Sequence, residues 1–177
     1  MAEAIFQGVL AAKLAGPDEI WVGERLAGRR EYLSRQYGVH VGSDNEEALQ
    51  DADLVLLAVK PQDLATVFEQ LNGRLGAAQA ALSIVAGVKM STLAGGLGHA
   101  AIIRVMPNTP AQIGCGMSLW TCSDEVETQV RGMTQSILAT VGQEIYVDDE
   151  KYLDMATALS ASGPAYVFMV IEALIDA

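Results

Sequence analysis

Short apolar runs alternate with helix-patterned segments along most of this chain, and that alternation limits the folds open to it. The clearest run is Asp53 to Val59, whose continuous apolar character is that of a strand buried on both faces. Shorter strands are expected at Ile20 to Gly23, Val39 to Val41, Ala80 to Gly87, Ala100 to Met106, Gly116 to Cys122 and Glu144 to Val147. Helical patterns fill the intervals. The first helix, with Ile5, Val9 and Leu10 on one side, is ended by Gly16-Pro17; the second spans Ala27 to Tyr37 and is stopped by Gly38. Asp44 or Asn45 can cap a short helix through Leu49, and Pro61 suits the first turn of a helix reaching Leu71. A short helix starts at Ser91, and a longer one spans Asp124 to Val141.

From Glu150 onward the alternation stops. One long helix follows, broken or restarted near Ser160 to Tyr166, where Gly163 and Pro164 fall. The fold expected is α/β: a Rossmann-like, doubly wound and mainly parallel sheet over residues 1–148, followed by the start of an α-helical domain over 149–177.

Composition narrows the partners. Lys and Arg number 11 against 22 Asp and Glu, a net charge of −11, which repels phosphate backbones and anionic lipids. Nucleic acid and membrane surfaces are therefore not expected partners, although backbone N–H groups can still hold a small anion. The most apolar stretch, Ala165 to Ile171, is far short of the roughly 20 residues of a spanning helix. No basic region precedes an apolar core at the start, so no signal peptide is expected. The two cysteines, Cys115 and Cys122, match neither a zinc nor a redox spacing; they read as buried or half-buried thiols in a reducing cytoplasm. No metal site is expected.

Doubly wound sheets bind ligands beyond the carboxyl ends of their strands, so the residues just after each strand are the candidates. After the first strand come Glu24, which could accept from ribose hydroxyls, and Arg25, which could pair a 2′-phosphate or lie over adenine. After the Asp53–Val59 run come Ala58, Val59, Lys60 and Pro61, small residues leading to a helix N-terminus. Val85, Ala86 and Gly87 leave room for a flat ring or a ribose. Met106, Pro107, Asn108, Thr109 and Pro110 form a stiff loop with an amide and a hydroxyl. A helix restart at Pro164 would aim N–H groups at an anion such as a carboxylate. Each of these has a plain alternative: a solvated charge, a tight turn, or small-residue helix packing.

Taken together, the segments Met1-Ala-Glu-Ala-Ile5, Ala58-Val-Lys-Pro-Gln-Asp-Leu64, Val85-Ala-Gly-Val88, Arg104-Val-Met-Pro-Asn-Thr-Pro-Ala111 and Ala158-Leu-Ser-Ala-Ser-Gly-Pro-Ala-Tyr-Val-Phe168 resemble pyrroline-5-carboxylate reductases. The resemblance runs over essentially the whole chain, in order and with matching intervals. It implies reduction of the cyclic imine pyrroline-5-carboxylate to proline with hydride from NADPH or NADH. It implies cofactor contacts at Ala58, Val59, Lys60, Pro61, Ile84, Val85 and Ala86, with Asn45 near the adenosine and Glu24 and Arg25 near the ribose. Met106 and Asn108 would lie near the nicotinamide. Thr157, Ser160 and Pro164 match part of the substrate pocket, with Thr157 orienting the imine proton. His40 and His99 are expected at the surface.

The family pattern also has a first strand and glycine-rich turn ahead of Met1-Ala-Glu-Ala-Ile5, and further C-terminal helices that complete the pocket and form an intertwined dimer. By that comparison the chain is expected to be a fragment lacking both, with two strand edges exposed where a central strand would lie. Ala161 stands where the family usually has glycine. A related hydroxy-acid dehydrogenase and a non-catalytic nucleotide-binding remnant are the competing readings. In-frame sequence upstream of Met1 encoding a strand and a glycine-rich turn would favour the enzyme over the remnant. The expectation for this chain alone is weak cofactor binding and negligible reductase activity; cofactor titration with a proline-forming assay checks it, and native-like turnover overturns it.

Overall fold

The computed structural model describes residues 1–177. Its strands are β1 (Trp21–Gly23), β2 (His40–Gly42), β3 (Leu54–Leu57), β4 (Ala80–Ser83), β5 (Ile102–Met106), β6 (Gly116–Cys122) and β7 (Gly142–Tyr146). Its helices are α1 (Ala2–Ala11), α2 (Ala27–Tyr37), α3 (Leu64–Leu71), α4 (Met90–Leu97), α5 (Thr128–Ala139), α6 (Lys151–Ala156) and α7 (Gly163–Ile175).

The strands form two sheets. β1 and β2 pair in parallel, and β3-β4-β5-β6-β7 form a five-stranded sheet. β3, β4 and β5 are parallel neighbours; β6 runs antiparallel to β5, and β7 parallel to β6. No strand bridges the sheets, so β1 and β3 each keep one unpaired edge. Helices cover both faces, as a mainly parallel Rossmann-like sheet requires. Ala81, Val85 and Ile102 pack with Leu64, Val67 and Leu71 of α3 and Leu93 and Leu97 of α4. Ala80, Leu82, Ile103 and Val105 pack on the other side with Val130 and Leu138 of α5. α1 joins that second face through Ile5, against Val141, Leu56 and Ile84.

Three expectations are corrected. The Asp53–Val59 run is not buried on both faces: β3 spans only Leu54–Leu57 and is mostly half-buried, because it lies at the sheet edge. The fully buried strand is β4. Cys115 is exposed, while Cys122 is buried. The continuous helical run Lys151–Ile175 has 25 residues and is long and apolar enough to cross a membrane by length and composition. The uninterrupted apolar stretch Ala165 to Ile171 is only part of that run. Thr157, Ser160, Ser162 and Glu172 interrupt the run, a composition that equally suits a helix packed among other helices.

Backbone demands explain some small residues. Gly142 has φ +143°, and a Cβ there would lie 2.1 Å from the Gly116 carbonyl oxygen across the β6–β7 pairing. Pro61 opens a 3-10 turn that feeds α3, and Asp44 Oδ1 accepts the Glu46 N–H at 2.9 Å.

α1 and α2 are joined by a polar cluster beside Phe6, Leu33 and Val39. Glu3 Oε1 accepts from the Tyr37 hydroxyl at 2.7 Å, and Glu3 Oε2 accepts from Arg29. The Tyr37 hydrogen bond, helped by Arg29, lowers the Glu3 carboxyl from its ordinary value. The same bond raises the Tyr37 phenol. A lowered carboxyl adds stability above its unfolded-state pKa and loses that share as pH falls through its folded-state pKa. Tyr37→Phe is therefore expected to cost about 1 kcal/mol near neutral pH. Its difference from the unmodified chain should shrink below about pH 4. Urea melts of both proteins across that range check this, and a constant gap down to strongly acid pH would contradict it.

Candidate functional site

The parallel order β3-β4-β5 sets the site. Their carboxyl ends lie side by side at a spacing of about 4.8 Å per strand, so Lys60, Ala86 and Asn108 follow neighbouring strand tips. They are not scattered over distant surfaces.

At the end of β1, the Glu24 N–H donates to the Gly42 carbonyl at 2.9 Å. A Cβ on Gly23 would lie 2.2 Å from Asn45 Oδ1, so the Asn45 amide lies directly over that glycine. Asn45 Nδ2 donates to Gln70 Oε1 of α3 at 2.6 Å, which holds the amide there. Glu24, Arg25 and Asn45 thus surround one corner. Glu24 Oε1 accepts the Leu26 N–H at 2.9 Å, turning the carboxylate toward the start of α2. Arg30 donates to the Glu24 and Arg25 carbonyls at 2.7 and 2.8 Å, bracing the loop. Arg25 is 77% exposed and meets Asp63 at 3.4 Å, which brings this corner against the loop after β3. An exposed pair of that length is weak and easily exchanged for a ligand anion.

The loop after β3 presents exposed Ala58, Lys60 and Pro61, with Val59 half-buried. Lys60 makes no salt bridge within the chain. After β4, the Ile84 N–H donates to the Leu57 carbonyl at 3.1 Å, and the Val85 N–H to Ser83 Oγ at 3.2 Å. The Val85 side chain is in the core, so only its backbone is available to a ligand. Ala86 is exposed, and a Cβ on Gly87 would meet nothing within 4 Å. These open, small positions fit a flat group or a ribose laid on the backbone.

Met106 ends β5, and Asn108 links three elements. Its Oδ1 accepts the Met117 N–H of β6 at 2.9 Å, and its Nδ2 donates to Ser160 Oγ at 3.0 Å. Ser160 lies in a π-helical turn, Thr157–Ala161, between α6 and α7. Such turns recur at functional sites because the widened backbone re-aims side chains. Thr157 Oγ1 donates to the Leu153 carbonyl at 2.8 Å, and Pro164 sits in the first turn of α7; no fresh helix start forms there, because Ser162 stays helical and its N–H donates to the Thr157 carbonyl within one continuous run.

Arg25–Asp63 joins the corner at the end of β1 to the loop after β3, and Asn108–Ser160 joins the β5 loop to the 157–161 turn. Asp63, Gln70, Arg30, Arg104 and Glu150 were not foreseen. Only Arg104 left a signal, as a lone cation inside an apolar strand.

The class this architecture defines is a Rossmann-like oxidoreductase domain followed by a helical segment. Residues 1–87 match a family model described as "NADP oxidoreductase coenzyme F420-dependent", and residues 150–177 match one described as "Pyrroline-5-carboxylate reductase dimerisation". A pyrroline-5-carboxylate reductase of Synechocystis sp. is 44% identical over 177 residues, covering 99% of this chain and 65% of that protein. The structure of a pyrroline-5-carboxylate reductase from Coxiella burnetii superposes with a TM-score of 0.88 at 33% identity, over 98% of this chain and 64% of the other. The Plasmodium falciparum enzyme, with NADP bound, gives 0.81 at 27% identity over 98% of this chain and 63% of the other. The chain belongs to the pyrroline-5-carboxylate reductase family, and it spans about two thirds of the length of the relatives it matches.

Asn108→Ala removes the acceptor for the Met117 N–H and the donor to Ser160 together. The expected loss is about 1–2 kcal/mol of stability, larger than for Ser160→Ala. Chemical denaturation of the two variants checks the order.

Proposed function

We propose that this chain carries the nicotinamide-binding part and part of the substrate pocket of an enzyme that reduces pyrroline-5-carboxylate to L-proline with NADPH or NADH. The carrying observation is the Asn108–Ser160 hydrogen bond, which places the turn bearing Thr157 directly over the tip of β5. Glu24, Arg25 and Asn45 would hold the adenosine ribose. Ala58 to Pro61 and Ile84 to Ala86 would line the dinucleotide, and Met106 and Asn108 would border the nicotinamide. When bound, the nicotinamide supplies the hydride.

The hydroxyls of the turn have complementary roles. Thr157 spends its proton on the Leu153 carbonyl, so its oxygen is left to accept from the N–H of a protonated cyclic imine. Ser160 accepts from Asn108, so its own proton is left to donate to the substrate carboxylate. Pro164, in the first turn of α7, would border the same pocket. Holding the imine in one orientation against the ring supplies much of the rate.

The boundary between the two parts is proposed at residue 148, where the sheet gives way to helix. The apolar side chains of α7 would be buried in a homo-oligomer, and free thiols suit a cytoplasmic enzyme. The hydroxy-acid dehydrogenase reading wants a cation at the reacting group. Lys151 is the cation of α6, but it pairs with Asp149 at 2.9 Å and lies at the end of α6 away from Thr157.

Thr157→Val keeps the shape and removes the acceptor. Carried in a full-length enzyme of the family, it is expected to lower kcat/KM for proline formation by roughly 10- to 100-fold. The cofactor dissociation constant should move by less than about twofold, since the change is remote from the dinucleotide. Undiminished turnover in the valine variant would remove Thr157 from the site, and failure of NADPH and NADH to bind would remove the cofactor reading itself.

A further inference from the structure

Arg104 is 3% exposed, on a strand otherwise made of Ile102, Ile103, Val105 and Met106. Its guanidinium donates to Glu150 Oε2 at 3.0 Å and to Asp154 Oδ1 at 2.6 Å. The same Glu150 oxygen accepts the N–H of Met90, the first residue of α4, at 3.0 Å. One carboxylate oxygen therefore touches the sheet, the exit of the loop after β4, and the beginning of the helical run. Glu150 and Asp154 stand one helical turn apart, on the same side.

Little else locates α6. Leu153 is its one buried residue, and α7 has none. Burying the Arg104 charge makes this network a poor source of net stability, although its carboxylates reach toward solvent, and an apolar residue packed at Arg104 would serve that purpose as well. What two charges one turn apart supply, and a leucine would not, is direction. A planar guanidinium fork engaging both fixes the rotation of α6 about its axis. Thr157 follows Asp154 by three residues, so that rotation decides where the Thr157 and Ser160 hydroxyls point.

We propose that Arg104 is a positioning residue for the site. It sets the 157–161 turn over the β5 loop and, through Glu150, couples that turn to the β4–α4 loop that begins with Ile84, Val85 and Ala86. The coupling rests on the assignment of those two regions as substrate and cofactor subsites. Ligand bound along the β4–α4 loop then steadies the 157–161 turn without touching it, because both share the Glu150 carboxylate.

Hydrogen exchange on the full chain, free and with NADPH, tests this in the unmodified protein and in Arg104→Met, Arg104→Lys and Glu150→Gln. In the free chain, Arg104→Met and Glu150→Gln are expected to speed exchange at residues 157–163 by about tenfold or more, with β4 unchanged within about twofold. Arg104→Lys, a single point charge without the fork, should restore only part of the protection. NADPH should slow exchange at 157–163 in the unmodified protein. That response should vanish in Glu150→Gln while the NADPH dissociation constant moves less than about threefold.

Unchanged exchange at 157–163 in both Arg104→Met and Glu150→Gln overturns the proposal. So does equal acceleration in β4, which would mark the network as general support. If Arg104→Met does not fold, Glu150→Gln, nearly isosteric, decides. If NADPH protects nothing in the unmodified protein, the cofactor reading fails and the coupling with it, while the free-chain comparison still decides whether Arg104 positions the turn.

Discussion

β4 is the member on which the other layers depend. Its four residues, Ala80–Ser83, are all buried, and its side chains alternate between two cores. Ala81 and, just beyond the strand, Val85 face α3 and α4, whereas Ala80 and Leu82 face α5. A strand enclosed on both faces has no polar face to turn to water, so its register is strongly specified. Three of its four residues are Ala or Ser, which lets both helical layers approach closely. Fixing β4 fixes β3 and β5 on either side, and with them the three tips on which the candidate site is built.

The reversal at β6 has a consequence for the chemistry. Because β6 runs against β5, the start of β6 lies beside the end of β5. That gives the Asn108 carboxamide a partner in the Met117 N–H, with its donor side facing the 157–161 turn. Had β6 followed by a parallel crossover, its start would lie at the opposite end of the strands, beside the start of β5, and Asn108 would have no such anchor. The orientation of this amide is thus a property of topology rather than of the loop alone.

Much of this was legible in the sequence and some was not. Strand and helix order follows from periodicity, and the tip residues follow from strand order, because a period-2 or period-3.6 pattern is local information. The burial of a strand is not local. Leu54 to Leu57 are more uniformly apolar than Ala80 to Ser83, yet β3 is an edge and β4 is enclosed. Apolar content reports what a strand tolerates, and its neighbours decide what it receives. The Arg104 network was invisible for a related reason: Glu150 lies 46 residues away, and nothing in either segment alone names the other. The direction of β6 was likewise missing from the strand pattern itself, since an apolar run reads the same either way; only the shortness of the loop of two prolines and one glycine argues against a parallel crossover.

α7 places a demand of its own. Tyr166, Val167, Phe168, Met169, Val170 and Ile171 are consecutive and all exposed. Six consecutive helical positions cover every direction around the axis, at 3.6 residues per turn. The helix is therefore apolar all round rather than along one stripe, and a helix of that kind is stable in water only when enclosed. A single facing helix would cover one side and leave the other wet. Whatever buries α7 must surround it, which calls for at least two further elements and not a simple two-helix contact. α6 meets the body of the protein through one buried leucine, Leu153, and through Asp154 beside Glu150, whereas the exposed side chains of α7 are apolar and many. The helical run thus divides its work at the 157–161 turn, with direction supplied before it and burial required after it.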